Sequence, residues 1–165
     1  MQDDAFDAWM NATWASSVRL ALRLVGNDAD AADVAQESYV RALVALRAGR
    51  FRSHRDALNS WLRTIIVRCS LDLLRTHKRR REHPIHADDE PHAPPPRASG
   101  MDRRTVERAL LQLPDEQRVA FVLREIEGLT LKETAQALNC TVGAVEQRVL
   151  RAWSSLKKRM PHDQS

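Results

Sequence analysis

With 165 residues, 43% of them hydrophobic and 29% charged, the chain can bury one sizeable core or two small ones. No run approaches the roughly 20 apolar residues that cross a bilayer, and Met1-Gln2-Asp3-Asp4 offers no basic lead into an apolar segment, so no secretory signal or membrane insertion is expected and the cytoplasm is the expected compartment. The net charge of +4 is unevenly spread: residues 1–83 hold 14 Lys/Arg against 10 Asp/Glu, residues 84–100 hold 1 against 3, and residues 101–165 hold 11 against 9. Two basic lobes therefore flank an acidic connector.

Taken in chain order, Trp14, Val18, Ala21, Leu22 and Val25 share one face of a first helix, which Gly26 and Asn27 end before Asp28 or Asp30 caps the next. Ala35, Tyr39, Ala42, Leu43 and Leu46 mark a second helix that closes near Gly49. From about Ala57 to Arg79, Leu58, Trp61, Leu62, Ile65, Ile66, Cys69 and Leu73 form the longest amphipathic run. Trp61 is in phase with its apolar neighbours and is expected in the core. The stretch Pro84 to Gly100 contains five of the seven prolines and no apolar periodicity, so it reads as a semi-rigid linker.

Val106, Ala109, Leu110 and Leu113 open a second helical lobe. Pro114 suits a first helical position, and Val119, Val122, Leu123 and Ile126 carry one helix to a stop at Gly128. Thr130 and Glu133 have the spacing of a capping box, followed by the stripe Leu131, Ala135 and Leu138. Thr141 can then cap a helix with Val145, Val149, Ala152, Trp153 and Leu156 on one face and Glu146, Gln147, Arg148, Arg151, Lys157 and Lys158 on the other. A short helix, a tight turn and a basic amphipathic helix follow the order of a DNA-reading helix-turn-helix. The expected fold is all-α, with two small helical domains, 1–83 and 101–165, joined by the linker 84–100, the second domain being a four-helix helix-turn-helix unit.

Catalytic patterns are missing from the sequence: there is no glycine-rich phosphate loop, no HExxH and no GxSxG, so binding rather than enzymatic chemistry is expected, with no cofactor. His83, His86 and His92 lack cysteine partners and a fixed scaffold, and Cys69 and Cys140 form no CxxC pair, so no metal site or disulfide is expected. Both cysteines are expected as small core or half-buried residues. Arg63, Arg68, Arg75, Lys78, Arg79, Arg80 and Arg81 crowd the third helix and its end. Offsetting the helix C-terminus accounts for one or two of these cations, and the remainder point to phosphate neutralisation. Asp33, Gln36, Glu37 and Arg41 line one polar face of the second helix. That face is either solvated, with a Glu37–Arg41 pair worth about 0.3 kcal/mol, or a docking face for a protein.

Together these residues resemble the extracytoplasmic-function sigma factors of bacterial RNA polymerase. In the first lobe the likeness rests on Asp30-Ala-Ala-Asp33-Val-Ala-Gln36-Glu37-Ser-Tyr-Val-Arg41-Ala42, on Trp61-Leu62-Arg63 and on Asp72-Leu-Leu-Arg75. In the second it rests on Leu113-Pro114, Arg118-x-x-Phe121-x-Leu123-Arg124, Glu127-Gly128-Leu129-Thr130, Glu133-x-Ala135-x-x-Leu138, Val142-Gly143-Ala144-Val145 and Arg148-x-x-Arg151-Ala152.

The resemblance implies that Asp33, Gln36, Glu37 and Arg41 dock on core RNA polymerase. It further implies that the loop from about Arg50 to Asn59 and the third helix, with Arg52, Arg55, Asn59, Arg63, Arg68, Arg75, Lys78 and Arg79, read minus-ten promoter DNA. The minus-thirty-five element falls to Arg124, Thr141, Ala144, Glu146, Gln147, Arg148, Leu150 and Arg151, and the linker to the polymerase cleft. An anti-sigma factor, often membrane-bound, is an implied partner, which would tether the chain near the membrane until release lets it join the nucleoid.

The family commonly reads G-T-V-[KR]-S-R where this chain has Gly143-Ala144-Val145-Glu146-Gln147-Arg148. A carboxylate can accept from cytosine N4 but not pair with phosphate, so unusual promoter preference is expected, with Glu146, Gln147 and Arg151 on base edges and Arg124 and Arg148 on phosphates. A stand-alone helix-turn-helix regulator that never binds polymerase is the rival reading.

Overall fold

The computed structural model describes residues 3–51, 57–82 and 103–159, and among these every regular element is helical. The chain divides into two compact units, residues 1–76 and 77–165. Helices α1 (Asp3–Val25), α2 (Asp28–Arg47) and α3 (Leu58–Glu82) come first. Then follow α4 (Arg103–Leu111), α5 (Asp115–Phe121), a π-helical segment (Val122–Ile126), α6 (Leu131–Leu138) and α7 (Val142–Arg159). The expected linker 84–100 lies outside the described residues.

In the first unit α1 packs along α2. Its inner face is Phe6, Ser17, Leu20, Ala21, Leu24 and Val25, which is rotated from the expected stripe. Val18 and Leu22 are half-buried and Trp14 stays 37% exposed. The rotation comes from a hydroxyl cluster: Tyr39 of α2 meets Thr13 Oγ1 at 2.7 Å and Ser17 Oγ at 2.9 Å, so a serine takes the inward position. Phe6, Trp9 and Trp14 ring Tyr39 with centroids 5.6–6.4 Å away.

Gly26, at φ +94, turns the chain, and the cap of α2 is Asn27 rather than either aspartate: its Oδ1 accepts from the Asp30 amide at 2.9 Å and its Nδ2 donates to the Asp30 carboxylate at 2.7 Å. Gly49, at φ +65, closes α2, with the Arg50 amide reaching the Ala45 carbonyl. Helix α3 buries Leu58, Leu62, Ile66, Val67, Cys69 and Leu71.

In the second unit Ala109, Leu110, Leu113, Phe121, Ala152 and Leu156 form one cluster, and Ala120, Ala135, Val145 and Val149, flanked by Leu131, Leu138 and Cys140, form another. Helix α7 therefore serves both, through positions spaced four, three and four apart. Each fully buried Val or Leu contributes at most about 1.5–3 kcal/mol. The fourth expected apolar position, Trp153, is 41% exposed and lies edge-on to Phe121. Pro114 sits just before α5 in an extended conformation (φ −52, ψ 143) instead of at its first helical position.

The expected helix through Ile126 is not uniform. It is α-helical to Phe121 and π-helical beyond, the Glu127 amide reaching back to the Val122 carbonyl at 2.9 Å. Six consecutive residues, Arg118 to Leu123, are buried. Among them Arg118, 2% exposed, donates to the Leu113 carbonyl at 3.1 Å and to Asp115 Oδ1 at 2.8 Å.

Candidate nucleic-acid and protein interfaces

Helix α6 starts as the spacing of Thr130 and Glu133 requires. The Glu133 amide donates to Thr130 Oγ1 at 3.1 Å, while Glu133 Oε2 accepts from the Thr130 amide and hydroxyl, both at 2.8 Å. The bond from the Thr130 amide, then that from its hydroxyl, hold the Glu133 carboxyl below the usual carboxylate range. Asn139 ends α6 in the left-handed region at φ +50, and the Cys140 amide returns to the Ala135 carbonyl. Two residues later Thr141 Oγ1 accepts from the Ala144 amide at 3.2 Å and α7 begins. The turn thus holds α7 at a defined angle to α6, with Val145 and Val149 facing Ala135 across the smaller cluster.

What α7 presents outward is Glu146, Gln147, Leu150 and Arg151, all exposed, with Arg151 and Gln147 within 3.5 Å of each other. Thr141 is exposed and Ala144 half-buried at the start of the same helix. The other two expected contacts are partly committed inside the unit. Arg148 is half-buried and donates to Glu116 Oε2 at 3.1 Å and to Cys140 Sγ at 3.3 Å; Arg124 donates to the Leu129 carbonyl at 3.4 Å. A guanidinium carries five N–H donors, so each retains hydrogen-bonding capacity while its direction is fixed.

On the first unit, Asp33, Gln36 and Glu37 are all exposed on α2. Arg41 is held back rather than projected. Its Nε lies 2.7 Å from Glu37 and its Nη1 3.8 Å from Asp72, which Arg75 meets at 3.2 Å, so a chain of charges ties α2 to α3. The hydrogen bond to Glu37 is the main cause of an Arg41 pKa above its ordinary value. All four side chains are about half exposed, so each pair contributes on the order of 0–1 kcal/mol.

Val40 and Val44, 52% and 59% exposed, continue the Asp33–Glu37 face by one and two turns. Sequence reasoning missed them. The available signal was their phase, which follows Asp33 and Glu37 rather than the buried Ala35, Tyr39 and Ala42.

The described residues expected on minus-ten DNA lie on two sides of α3. By helical spacing Arg68, Arg75 and Arg79 share the outward face of α3, whereas Asn59 and Arg63 lie roughly half a turn around it. Arg63, Arg68, Arg75, Lys78 and Arg79 are exposed. Asn59 Oδ1 accepts from Trp9 Nε1 at 2.9 Å, a contact across 50 residues that anchors the start of α3 to α1. Trp61 is half-buried instead of fully in the core, its ring 4.8 Å from that of Phe51. Arg52 and Arg55 lie outside the described residues. Among the described residues no group of three or more His, Cys, Asp or Glu could hold a metal ion.

Residues 16–80 match the family model Sigma-70 region 2, and residues 103–156 match Sigma-70, region 4. The RNA polymerase sigma-H factor of Pseudomonas aeruginosa is 34% identical over 154 residues, covering 86% of this chain and 78% of that protein. The chain belongs to the extracytoplasmic-function sigma-70 family. Another relative, the ECF RNA polymerase sigma factor SigM of Mycobacterium tuberculosis, is 33% identical over 141 residues, covering 85% of this chain and 69% of its own length.

In fold the chain is similar to the sigma factor RpoE solved in complex with the anti-sigma factor NepR from Bartonella quintana, with a TM-score of 0.63, 21% identity and coverage of 97% and 99%. A second likeness is to CnrH in complex with the cytosolic domain of CnrY, with a TM-score of 0.53 and 23% identity over 99% and 92% of the two chains. Region 2 contains the α2 face and the α3 cations, and region 4 contains the helix-turn-helix.

Proposed function

We infer that this chain is a transcription initiation factor that binds core RNA polymerase and directs it to promoters with a minus-ten and a minus-thirty-five element, acting by binding and not by catalysis. The observation that carries this is the presence of both sigma-70 regions, in order, in one chain. A stand-alone helix-turn-helix regulator has no use for a region 2, and the match over residues 16–80 disfavours that rival. The domain limits 1–83 and 101–165, with a linker at 84–100, fit the matched ranges.

Asp33, Gln36 and Glu37, extended by Val40 and Val44, form the polymerase-docking face, with Arg41 of the same helix bracing it against Asp72 of α3. Arg52, Arg55, Asn59, Arg63, Arg68, Arg75, Lys78 and Arg79 serve the minus-ten element. Glu146, Gln147, Leu150 and Arg151 face base edges of the minus-thirty-five element, while Thr141, Ala144, Arg124 and Arg148 lie along its backbone. Of the two solved structures named above, one holds a complex with the anti-sigma factor NepR and the other a complex with the cytosolic domain of CnrY, and an anti-sigma factor is the proposed inhibitor here. The proposed compartment is the cytoplasm, with tethering only through such a regulator; among the described residues no helix is long and apolar enough to cross a membrane.

The test is in-vitro transcription with core polymerase on a promoter library, alongside a core-polymerase pull-down. The wild-type chain should produce defined start sites. Reversing Asp33 and Glu37 to lysine should abolish the pull-down while leaving helical circular dichroism unchanged, since Glu37 loses only an exposed pair. No start site from any promoter, together with an unaltered pull-down by the reversed variant, refutes the assignment.

A further inference from the structure

The outward face of α7 combines two chemistries that are unusual side by side. Glu146 is an exposed carboxylate in a helix otherwise rich in cations, and Leu150, one turn further on, is 65% exposed, the most exposed large apolar side chain among the described residues. Among the described residues neither is drawn into the packing of the unit. Leu150 points away from Val145, Val149 and Ala152, which fill the inner face. At Gly143, the preceding turn of the same face, a Cβ would meet nothing within 4 Å, so the start of α7 is open and can approach another surface closely. Arg148, which could have covered this face, is turned aside to Glu116 and Cys140.

We propose that Glu146 and Leu150 are the specificity-determining pair of the minus-thirty-five module, Glu146 accepting from cytosine N4 and Leu150 packing on a thymine 5-methyl group. This rests on the reading of the chain as a sigma factor. In the major groove cytosine is the base that offers a donor without an acceptor, and the thymine methyl is its apolar feature, so a carboxylate and a leucine select these two bases. Four residues of helix rise about 6 Å, and stacked base pairs are about 3.4 Å apart, so the two bases lie within two steps of each other. Gln147 and Arg151, beside this pair, contact neighbouring bases without setting the cytosine–thymine choice.

The experiment uses the full chain with core polymerase on a promoter library randomised at the minus-thirty-five element. A selected promoter is then remade with deoxyuridine in place of the thymidine, which removes the methyl group alone. Wild type should select a cytosine and a thymine within two steps, and deoxyuridine should lower its promoter occupancy about fourfold, as expected for one buried methyl group. Leu150→Ala should bind both templates equally, at the level wild type reaches on deoxyuridine. Glu146→Gln should lose about tenfold in preference for cytosine while keeping the methyl effect.

Defined start sites with no methyl effect in wild type, or the same methyl effect in Leu150→Ala, overturn this inference and leave the sigma-factor reading standing. If Leu150→Ala matches wild type on every template, the leucine serves a protein partner and the inference falls. No start site at all refutes the sigma-factor reading first.

Discussion

Arg118 is a cation with a side chain only 3% exposed, in a small helical unit whose task is to hold α7 outward. Replacing it by alanine removes two methylenes of buried stem, about 1.6 kcal/mol at about 0.8 kcal/mol each. It also strands the Leu113 carbonyl that its Nη1 satisfies at 3.1 Å, about 1–3 kcal/mol for a buried acceptor. Asp115 is 41% exposed and keeps Arg81 at 3.5 Å, so the loss of the Arg118 ion pair adds at most about 1 kcal/mol. The sum is about 3–5 kcal/mol against a typical domain stability of about 5–15 kcal/mol. Arg118→Met keeps the stem and loses only the polar contacts, so it should cost about 1.5 kcal/mol less than alanine. Hydrogen exchange of the full chain, read on α5 and π-segment amides by mass spectrometry, reports the opening free energy of this region without requiring the units to unfold together. Equal losses in the two variants would show that the stem does not pack. An alanine variant within about 0.5 kcal/mol of wild type would remove Arg118 from the core of the unit altogether.

The Glu133 carboxyl, held below its ordinary range by Thr130, binds a proton more readily in the unfolded than in the folded chain. Its contribution is therefore present above the unfolded value, about pH 4.3, and is lost as the pH falls through the lower folded value. Glu133→Gln should flatten the acid limb of α6 stability, measured by hydrogen exchange across that range, and an unchanged limb would refute the linkage. At Asn139, φ +50 sets the cost of substitution: Asn139→Ala should destabilise by about 1 kcal/mol and Asn139→Gly by no more than a few tenths, both read from urea midpoints. A larger loss with glycine than with alanine would mean that the asparagine side chain, not its backbone, holds the turn.

The helix-turn-helix was legible in the sequence because its determinants are local. Thr130 and Glu133 contact each other, Thr141 caps the helix that begins beside it, and Val145, Val149 and Ala152 fall on the face that periodicity names. The inner face of α1 was not, because Ser17 is placed by Tyr39 on another helix, and no pattern within α1 announces that a hydroxyl will be satisfied there. The same holds for Arg41 and Asn59. Their types suggested outward contacts, yet Asp72 on α3 and Trp9 on α1 engage them across long sequence separations. Val40 and Val44 escaped notice for the opposite reason: valine reads as core until the phase of the helix is known.

The π-helical segment shows how far such long-range demands reach. Burying Arg118 through Leu123 in succession exceeds what one packed face can do, since at 3.6 residues per turn six consecutive side chains sweep more than one full circle. Burying them requires neighbours on every side, here α4 and α7 on one and α6 on the other. The Val122 amide still reaches the Arg118 carbonyl, and the turn widens only beyond it, where the Glu127 amide returns to the Val122 carbonyl at 2.9 Å. The widened turn carries the chain to Gly128, at φ +73, where the Leu129 amide reaches the Leu123 carbonyl at 3.0 Å and Thr130 is delivered to cap α6. The angle at which α7 faces outward is therefore set upstream of the helix-turn-helix, by a turn whose sequence, Val-Leu-Arg-Glu-Ile, reads as ordinary helix.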